Sequence, residues 1–239
     1  MALTDVRKDV ISIINEVQRR LGVNTQTSLT ANKLTTVLLD LLNDVVDEIS
    51  DYGDWQQMYR EVAVTAASSV GSYKISVSAD VKNVYEIVWG DDVSPLEVRT
   101  IEDIRRLQRL ASFGTPRQFA IVGVSGTSPL FRIYPIPTSA AIAAESSAGG
   151  VFDVAYYKKP RMFDATVTAD ASAVPAFPAR VLVQGTYAKA LLEENGGEPT
   201  PQYQTAYAEY IRMRSEAQNR FTSDTGTDMY FTPTGSRYA

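Results

Sequence analysis

Four aspartates at helical spacing are the feature of this sequence best suited to chemistry. They are Asp40, Asp44, Asp47 and Asp51, and we call them the acidic stripe. A helix turns about 100° per residue, so all four carboxylates fall within roughly 60° of arc. No lysine or arginine occurs between Asp40 and Asp54. Such a stripe can bind a hard cation, present a negative surface to another charged body, or be a plain solvated helix face. Repulsion at these spacings costs only about 0.2–0.5 kcal/mol per pair, so the pattern alone leaves these readings open.

The chain of 239 residues contains no histidine and no cysteine. Their absence excludes a Ser-His-Asp triad, a cysteine nucleophile, a histidine base and an ordinary zinc site. The remaining enzymatic alternative is a carboxylate-based hydrolase acting on polysaccharide. Such an enzyme needs two carboxyl groups about 5–10 Å apart in an aromatic-lined cleft, and the sequence identifies no such pair. We therefore predict a protein that is not an enzyme and that uses no cofactor or metal.

A second charged group is basic. It consists of Arg105, Arg106 and Arg109, on a short helix predicted over 101–110 with Thr100 as its N-cap. Glu102 and Asp103 partly neutralise these arginines, which favours contact with a protein over binding of DNA. The alternative is an ordinary solvated face. The net charge of the whole chain is -5, which also argues against a general nucleic-acid binder.

The first quarter of the chain has the periodicity of two amphipathic helices. Apolar residues recur every three or four positions over 4–21, and again from about 31 to 49, as in helices with one buried face. Thr4 and Thr30 are the expected N-caps, and Gly22 is expected to end the first helix. Helices joined by a short connection form an antiparallel hairpin.

The period changes after Trp55. Short Val-, Ile- and Tyr-rich segments with alternating polarity predict strands near 60–66, 72–77, 83–89, 93–99, 117–123, 129–134 and 151–158. The Gly-, Ser- and Ala-rich stretch 138–150 is expected to be a long, mobile loop. Helical spacing returns at Pro178, runs to Asn195, and resumes over about 200–220.

Together these patterns predict an α+β fold. A helical hairpin over 1–58 and a helical pair over 178–220 form one bundle, because neither pair alone can bury its apolar stripes. A β-rich insert with one short helix spans 59–177, and an extended arm spans 221–239. The arm carries the aromatic residues Phe221, Tyr230, Phe231 and Tyr238. Its lack of periodicity favours a segment that folds onto a partner over one that lines a ligand pocket. No apolar run is long enough to span a membrane.

An ordered set of short motifs along the chain resembles a known family. The set includes Tyr52-Gly53-Asp54-Trp55, Gly71-Ser72-Tyr73-Lys74-Ile75, Val84-Tyr85-Glu86-Ile87-Val88-Trp89, Gly114-Thr115-Pro116-Arg117-Gln118-Phe119, Leu130-Phe131-Arg132-Ile133-Tyr134-Pro135-Ile136-Pro137 and Val154-Ala155-Tyr156-Tyr157-Lys158-Lys159-Pro160. In this order they resemble the head-to-tail adaptor (connector) proteins of tailed bacteriophages, of the short-tailed tubular-protein-A type. The Gly114–Phe119 and Leu130–Pro137 motifs are the most specific of the set.

The resemblance implies a structural protein of the virion neck or tail that is assembled in the host cytoplasm. About twelve copies would form a ring that joins the portal protein to the tail nozzle or tube and lets genomic DNA pass without sequence-specific binding. The four arm aromatics would then dock on the portal, and Arg105, Arg106 and Arg109 would contact a neighbouring copy. We expect the acidic stripe to line the channel. Another tail or neck completion protein is the alternative within the same class.

Overall fold

The computed structural model describes residues 8–75, 81–90, 94–110, 112–125, 128–145 and 150–223. In chain order the elements are α1 (Val10–Arg20), α2 (Lys33–Tyr52), β1 (Tyr59–Thr65), β2 (Ser72–Lys74), β3 (Val81–Trp89), β4 (Glu97–Val98), α3 (Ile101–Gln108), β5 (Gln118–Ser125), β6 (Ser128–Tyr134), α4 (Ser139–Ala144), β7 (Val151–Lys158), α5 (Thr168–Ala171), α6 (Ala179–Glu194) and α7 (Pro201–Ser223). The predicted α+β fold is confirmed. The chain divides into a helical unit, which takes in the described residues up to Gln57 and from Pro160, and a β unit over Met58–Lys159.

The first two helices begin later than the sequence predicted. The N-cap of α1 is Asp9, whose carboxylate accepts the Ser12 amide at 3.0 Å; Thr4, the predicted cap, lies outside the described residues. The N-cap of α2 is Asn32 rather than Thr30, because the Asn32 side chain accepts the Thr35 amide at 2.8 Å. Asp9 directly precedes Val10, the first buried residue of α1, and Asn32 stands three residues before Thr35, the first buried residue of α2. Each capping hydrogen bond therefore lies within one turn of the start of the buried face.

The helix α6 lies at the centre of the helical unit. Its residues are buried on almost every side, as expected for a helix that packs against several others. A Cβ atom added at Gly185 would lie 2.7 Å from Val45 of α2 and 2.8 Å from the Tyr210 ring of α7. The glycine therefore allows both neighbouring helices to approach α6 closely.

Polar side chains, most of them buried, connect the four long helices. Arg20 of α1 donates to the Gln184 side chain of α6 at 2.6 Å, and Gln184 donates to the Ala206 carbonyl of α7 at 3.0 Å. Gln18 of α1 donates to the Thr35 hydroxyl of α2 at 3.1 Å. Because Gln18, Thr35 and Gln184 are buried, losing a partner would leave a desolvated polar atom, which fixes the register of the helices.

Residues 160–177 belong with the helical unit, whereas the sequence analysis assigned them to the β-rich insert. The Asn43 side chain of α2 bonds to both the carbonyl and the amide of Phe163, at 2.8 and 2.9 Å. The Phe177 ring packs edge-on against Trp55 at 5.3 Å. These contacts join sequence positions more than 100 residues apart, and the local pattern of 160–177 contains no sign of them.

The β unit is a sandwich of two sheets. One sheet has the antiparallel order β1-β7-β3, and the other has the order β2-β6-β5-β4, in which the two-residue β4 pairs parallel with β5. Their inner faces share one aromatic core, with Phe152 within 5.5 Å of the rings of Phe131, Tyr73 and Trp89. The strand predicted over 93–99 is reduced to β4, with a single bridge from Pro95 to Val88 before it.

The helix α3 covers the outer face of the four-stranded sheet. Thr100 caps it as predicted, accepting the Asp103 amide at 3.2 Å, and Ile104 is fully buried. Gln108 donates to the carbonyls of Gly71 and Ile133 at 2.8 and 2.9 Å. The opposite side of α3 is therefore fixed toward solvent.

The prediction of a long loop over 138–150 is wrong for its first part, which contains the helix α4. The Thr138 hydroxyl accepts the Ala141 amide at 3.0 Å and begins α4. Alanine is the best helix former, and α4 has the sequence SAAIAA. Residues 146–149 lie outside the described residues.

Candidate functional site

The acidic stripe occupies one exposed face of α2. All four aspartates are exposed, whereas Leu42, Val46 and Ile49 on the opposite face are buried. None of the four forms an ion pair with any residue that the structure describes. The spacing thus produces the shared face that it predicts, while the role of that face in a channel remains a prediction. Across the described ranges, no group of three or more acidic side chains is placed to hold a metal ion.

Glu48, on the same helix, is a structural residue. It forms ion pairs with Arg214 of α7 at 2.6 Å and with Lys189 of α6 at 3.5 Å. The Arg214 guanidinium also lies over the Tyr52 ring at 4.0 Å and the Tyr210 ring at 5.4 Å. Burial and the nearby Glu48 charge raise the pKa of Tyr210. This cluster fixes the rotation of α2 and so directs the acidic stripe away from the bundle; its residues come from three helices, so sequence reasoning missed it.

An apolar groove lies beside the acidic stripe in the helical unit. Its volume is about 230 Å³, and it is lined by Leu21, Val23, Leu34, Val37, Leu38, Leu41, Ala190, Glu193 and Glu194. The residues from α2 lie about a quarter turn around that helix from the stripe. Glu193 and Glu194 are exposed in the last turn of α6. The groove therefore combines an apolar floor with acidic residues at its rim, and we call it the rimmed groove.

The basic residues form an exposed patch on the β unit. Arg105, Arg106 and Arg109 are all exposed, and the structure gives them no ion pair among the described residues. Two large apolar side chains follow at the end of α3, Leu110 with 70% of its surface exposed and Phe113 with 54%. We call these five residues the basic patch. Sequence reasoning identified the arginines but not the exposed apolar pair, since Leu110 fitted the expected helix.

Two glutamates and three tyrosines lie together on the three-stranded sheet. Glu61 of β1 and Glu86 of β3 both align with Ala155 of β7, and the Tyr59 hydroxyl donates to Glu61 at 2.7 Å. The rings of Tyr59 and Tyr85 both pack edge-on against Tyr157. Burial and the Glu61 charge raise the pKa of Glu86; burial and Glu86 raise the pKa of Tyr85 to about 12. The residues come from three separated strands, and no local pattern identified them.

The model of the SU10 adaptor protein family matches residues 8–237. The match covers nearly the whole chain, including both units. This chain belongs to the SU10 adaptor protein family. A comparison with curated proteins found no match.

Family membership makes this protein a phage head–tail adaptor, a structural component of the virion neck that associates with portal and tail proteins. The predicted resemblance to phage adaptors is confirmed, and the short-tailed subtype stays a prediction. Membership of a family of structural adaptors is consistent with a non-enzymatic role. Among the described residues of the adaptor, no helix is long and apolar enough to cross a membrane.

The predicted portal-docking residues of the adaptor fall mostly beyond its described part. The helix α7 continues to Ser223, so Phe221 belongs to the backbone of that helix rather than to an extended arm. Tyr230, Phe231 and Tyr238 lie outside the described residues. The helical pair therefore extends three residues past its predicted end, and the docking role of these aromatics stays a prediction.

Proposed function

We propose that the adaptor forms a ring of about twelve copies that joins the portal to the tail nozzle or tube and continues the DNA channel. The observation that carries this proposal is the acidic stripe in a member of a phage adaptor family. Its four carboxylates are exposed on one helix face and lack cationic partners in the described part of the chain. The helix α2, which bears them, is held in place by Glu48 through its ion pairs with Lys189 and Arg214.

A negative wall suits a channel through which DNA must move. Duplex DNA carries one negative charge per about 1.7 Å of axis, and proteins bind it mainly by placing lysine or arginine against phosphates. The acidic stripe is negative instead, and it runs for about three turns of helix without a lysine or arginine. DNA would pass such a surface without a binding step, as the proposed channel requires.

The segment after Ser223 is proposed to dock on the portal. It carries Tyr230, Phe231 and Tyr238 in a polar, non-periodic sequence, and tyrosine and phenylalanine provide large contact areas at protein interfaces. Such a segment has too few apolar residues to build a core of its own, which favours binding to a partner.

Mixing purified adaptor with purified portal tests the proposal. We expect rings on the portal in electron micrographs of the mixture, and no portal binding by a variant that ends at Ser223. A matched full-length variant, with the three tail aromatics changed to serine, should also lose binding although it keeps its length. Normal portal binding by both variants would overturn the docking role. Binding to tail protein alone would favour the alternative, a tail or neck completion protein.

A further inference from the structure

The rimmed groove of the helical unit lacks an occupant that the described chain supplies. Leu34 and Val23 keep 37% and 38% of their surface exposed although they line it. An engineered apolar cavity of about 150 Å³ holds a benzene molecule, so the 230 Å³ of the groove is enough for an aromatic ring with an aliphatic group. The size and lining fit one or two large apolar side chains from another molecule.

The charges around the rimmed groove indicate which kind of molecule could bind in it. Glu193 and Glu194 lie at the C-terminal end of α6, where the helix dipole disfavours carboxylates, and the last turn of α6 has no basic residue. Asp40 adds a third carboxylate one helical turn from Val37. None of the three forms an ion pair with a described residue. The rimmed groove is therefore complementary to a partner surface with apolar side chains at its centre and cationic side chains around them.

The basic patch of the same protein has those properties. Leu110 and Phe113 are its large exposed apolar side chains, and they follow the arginines directly in the chain. Arg106 lies about 200° around α3 from the buried Ile104, so its guanidinium faces away from the sheet. Glu102 and Asp103 in the first turn of α3 form no ion pair with these arginines among the described residues, and Asp103 accepts the Thr100 hydroxyl at 2.8 Å.

We infer that the basic patch of one copy docks into the rimmed groove of the next copy. Leu110 and Phe113 enter the groove, and Arg106 and Arg109 pair with Glu193 and Glu194 at its rim. Arginine and carboxylate form the strongest class of charge-assisted hydrogen bond. A contact between unlike surfaces closes into a ring when the rotation between copies divides a full turn. This inference therefore rests on the proposed ring and names its contact. The acidic stripe lies a quarter turn away on α2, and of its four residues only Asp40 lies beside this contact.

Cysteine cross-linking tests this contact, and the natural chain contains no cysteine to interfere. The double variant R109C/E193C, assembled on portal and treated with a short thiol cross-linker, should give a ladder of oligomers. The matched control R109C/E61C replaces a glutamate that is also exposed, on the β unit, and should stay monomeric. Rings without a ladder for R109C/E193C would overturn the contact and leave the proposed function standing. A wild-type chain that forms no rings, together with a missing ladder, would overturn both.

Charge reversal gives an independent measurement. Arg109→Glu and Glu193→Arg should each reduce ring formation on the portal at least tenfold, and the two reversals combined in one chain should restore most of it. Leu110→Ser should also reduce ring formation while far-UV circular dichroism stays unchanged, because this side chain is exposed. Failure of the combined variant to recover, with its fold intact, would contradict the assigned pairing.

Discussion

The Arg214→Met variant tests how the acidic stripe is held in place. Only 12% of the Arg214 side chain is exposed, and its guanidinium contacts Glu48 at 2.6 Å and lies over the Tyr52 ring at 4.0 Å. Methionine keeps most of the packing but removes the charge. A charge-assisted hydrogen bond contributes about 1.5–3 kcal/mol, and a cation–π contact about 0.5–1 kcal/mol. Since Lys189 still compensates Glu48 at 3.5 Å, we expect the free energy of unfolding to fall by about 2–3 kcal/mol.

The matched control is Arg212→Met on the same helix. Arg212 also forms ion pairs, with Glu209 and Glu216, but 57% of its side chain is exposed, and exposed pairs contribute about 0–1 kcal/mol. Urea unfolding followed by far-UV circular dichroism compares the two variants. A loss for Arg214→Met no larger than that for Arg212→Met would refute the reasoning that the buried cluster anchors α2.

Three further predictions follow from particular residues. Gly185→Ala should lower the free energy of unfolding by about 1–3 kcal/mol, seen as a lower midpoint in thermal unfolding, because the new methyl would meet Val45 and Tyr210 at under 3 Å. Glu86→Gln should raise stability at pH 7 by about 0.2–1 kcal/mol, because it removes a like charge near Glu61. Burial raises the folded-state pKa of Glu86, so the charged form of Glu86 destabilises the fold as pH rises through that pKa. In urea titrations the extra stability of the Glu86→Gln variant should vanish at acidic pH, because the protonated glutamate and the glutamine are then both neutral. Changing all four stripe aspartates to lysine should keep the far-UV spectrum and create salt-dependent duplex DNA binding in a filter assay; the all-asparagine variant should not bind.

Features that depend on a local pattern were predictable from the sequence. The common face of the acidic stripe follows from helical period, and the α3 cap follows from Thr100 standing just before Glu102 and Asp103 in the first turn. The helix starts at Asp9 and Asn32 were missed, because several capping side chains precede each helix and only packing selects among them. The helix α4 was missed because its alanines and serines are also typical of loops.

Features that depend on distant pairing were not predictable. Alternation indicated that β1 has an inner and an outer face, but nothing local shows that Glu61 aligns with Ala155 and, through it, with Glu86. The rimmed groove has the same origin, since it is built from the ends of α1 and α6 and the side of α2. The exposure of Leu110 appears only once Gln108 fixes α3 on the sheet.

A cryo-electron microscopy reconstruction of the adaptor bound to its portal tests the central claim most directly. We predict a closed ring around the portal axis, with Asp40, Asp44, Asp47 and Asp51 of every copy facing the channel. Finding these four side chains buried between neighbouring copies, or on the outer wall of the ring, would contradict it.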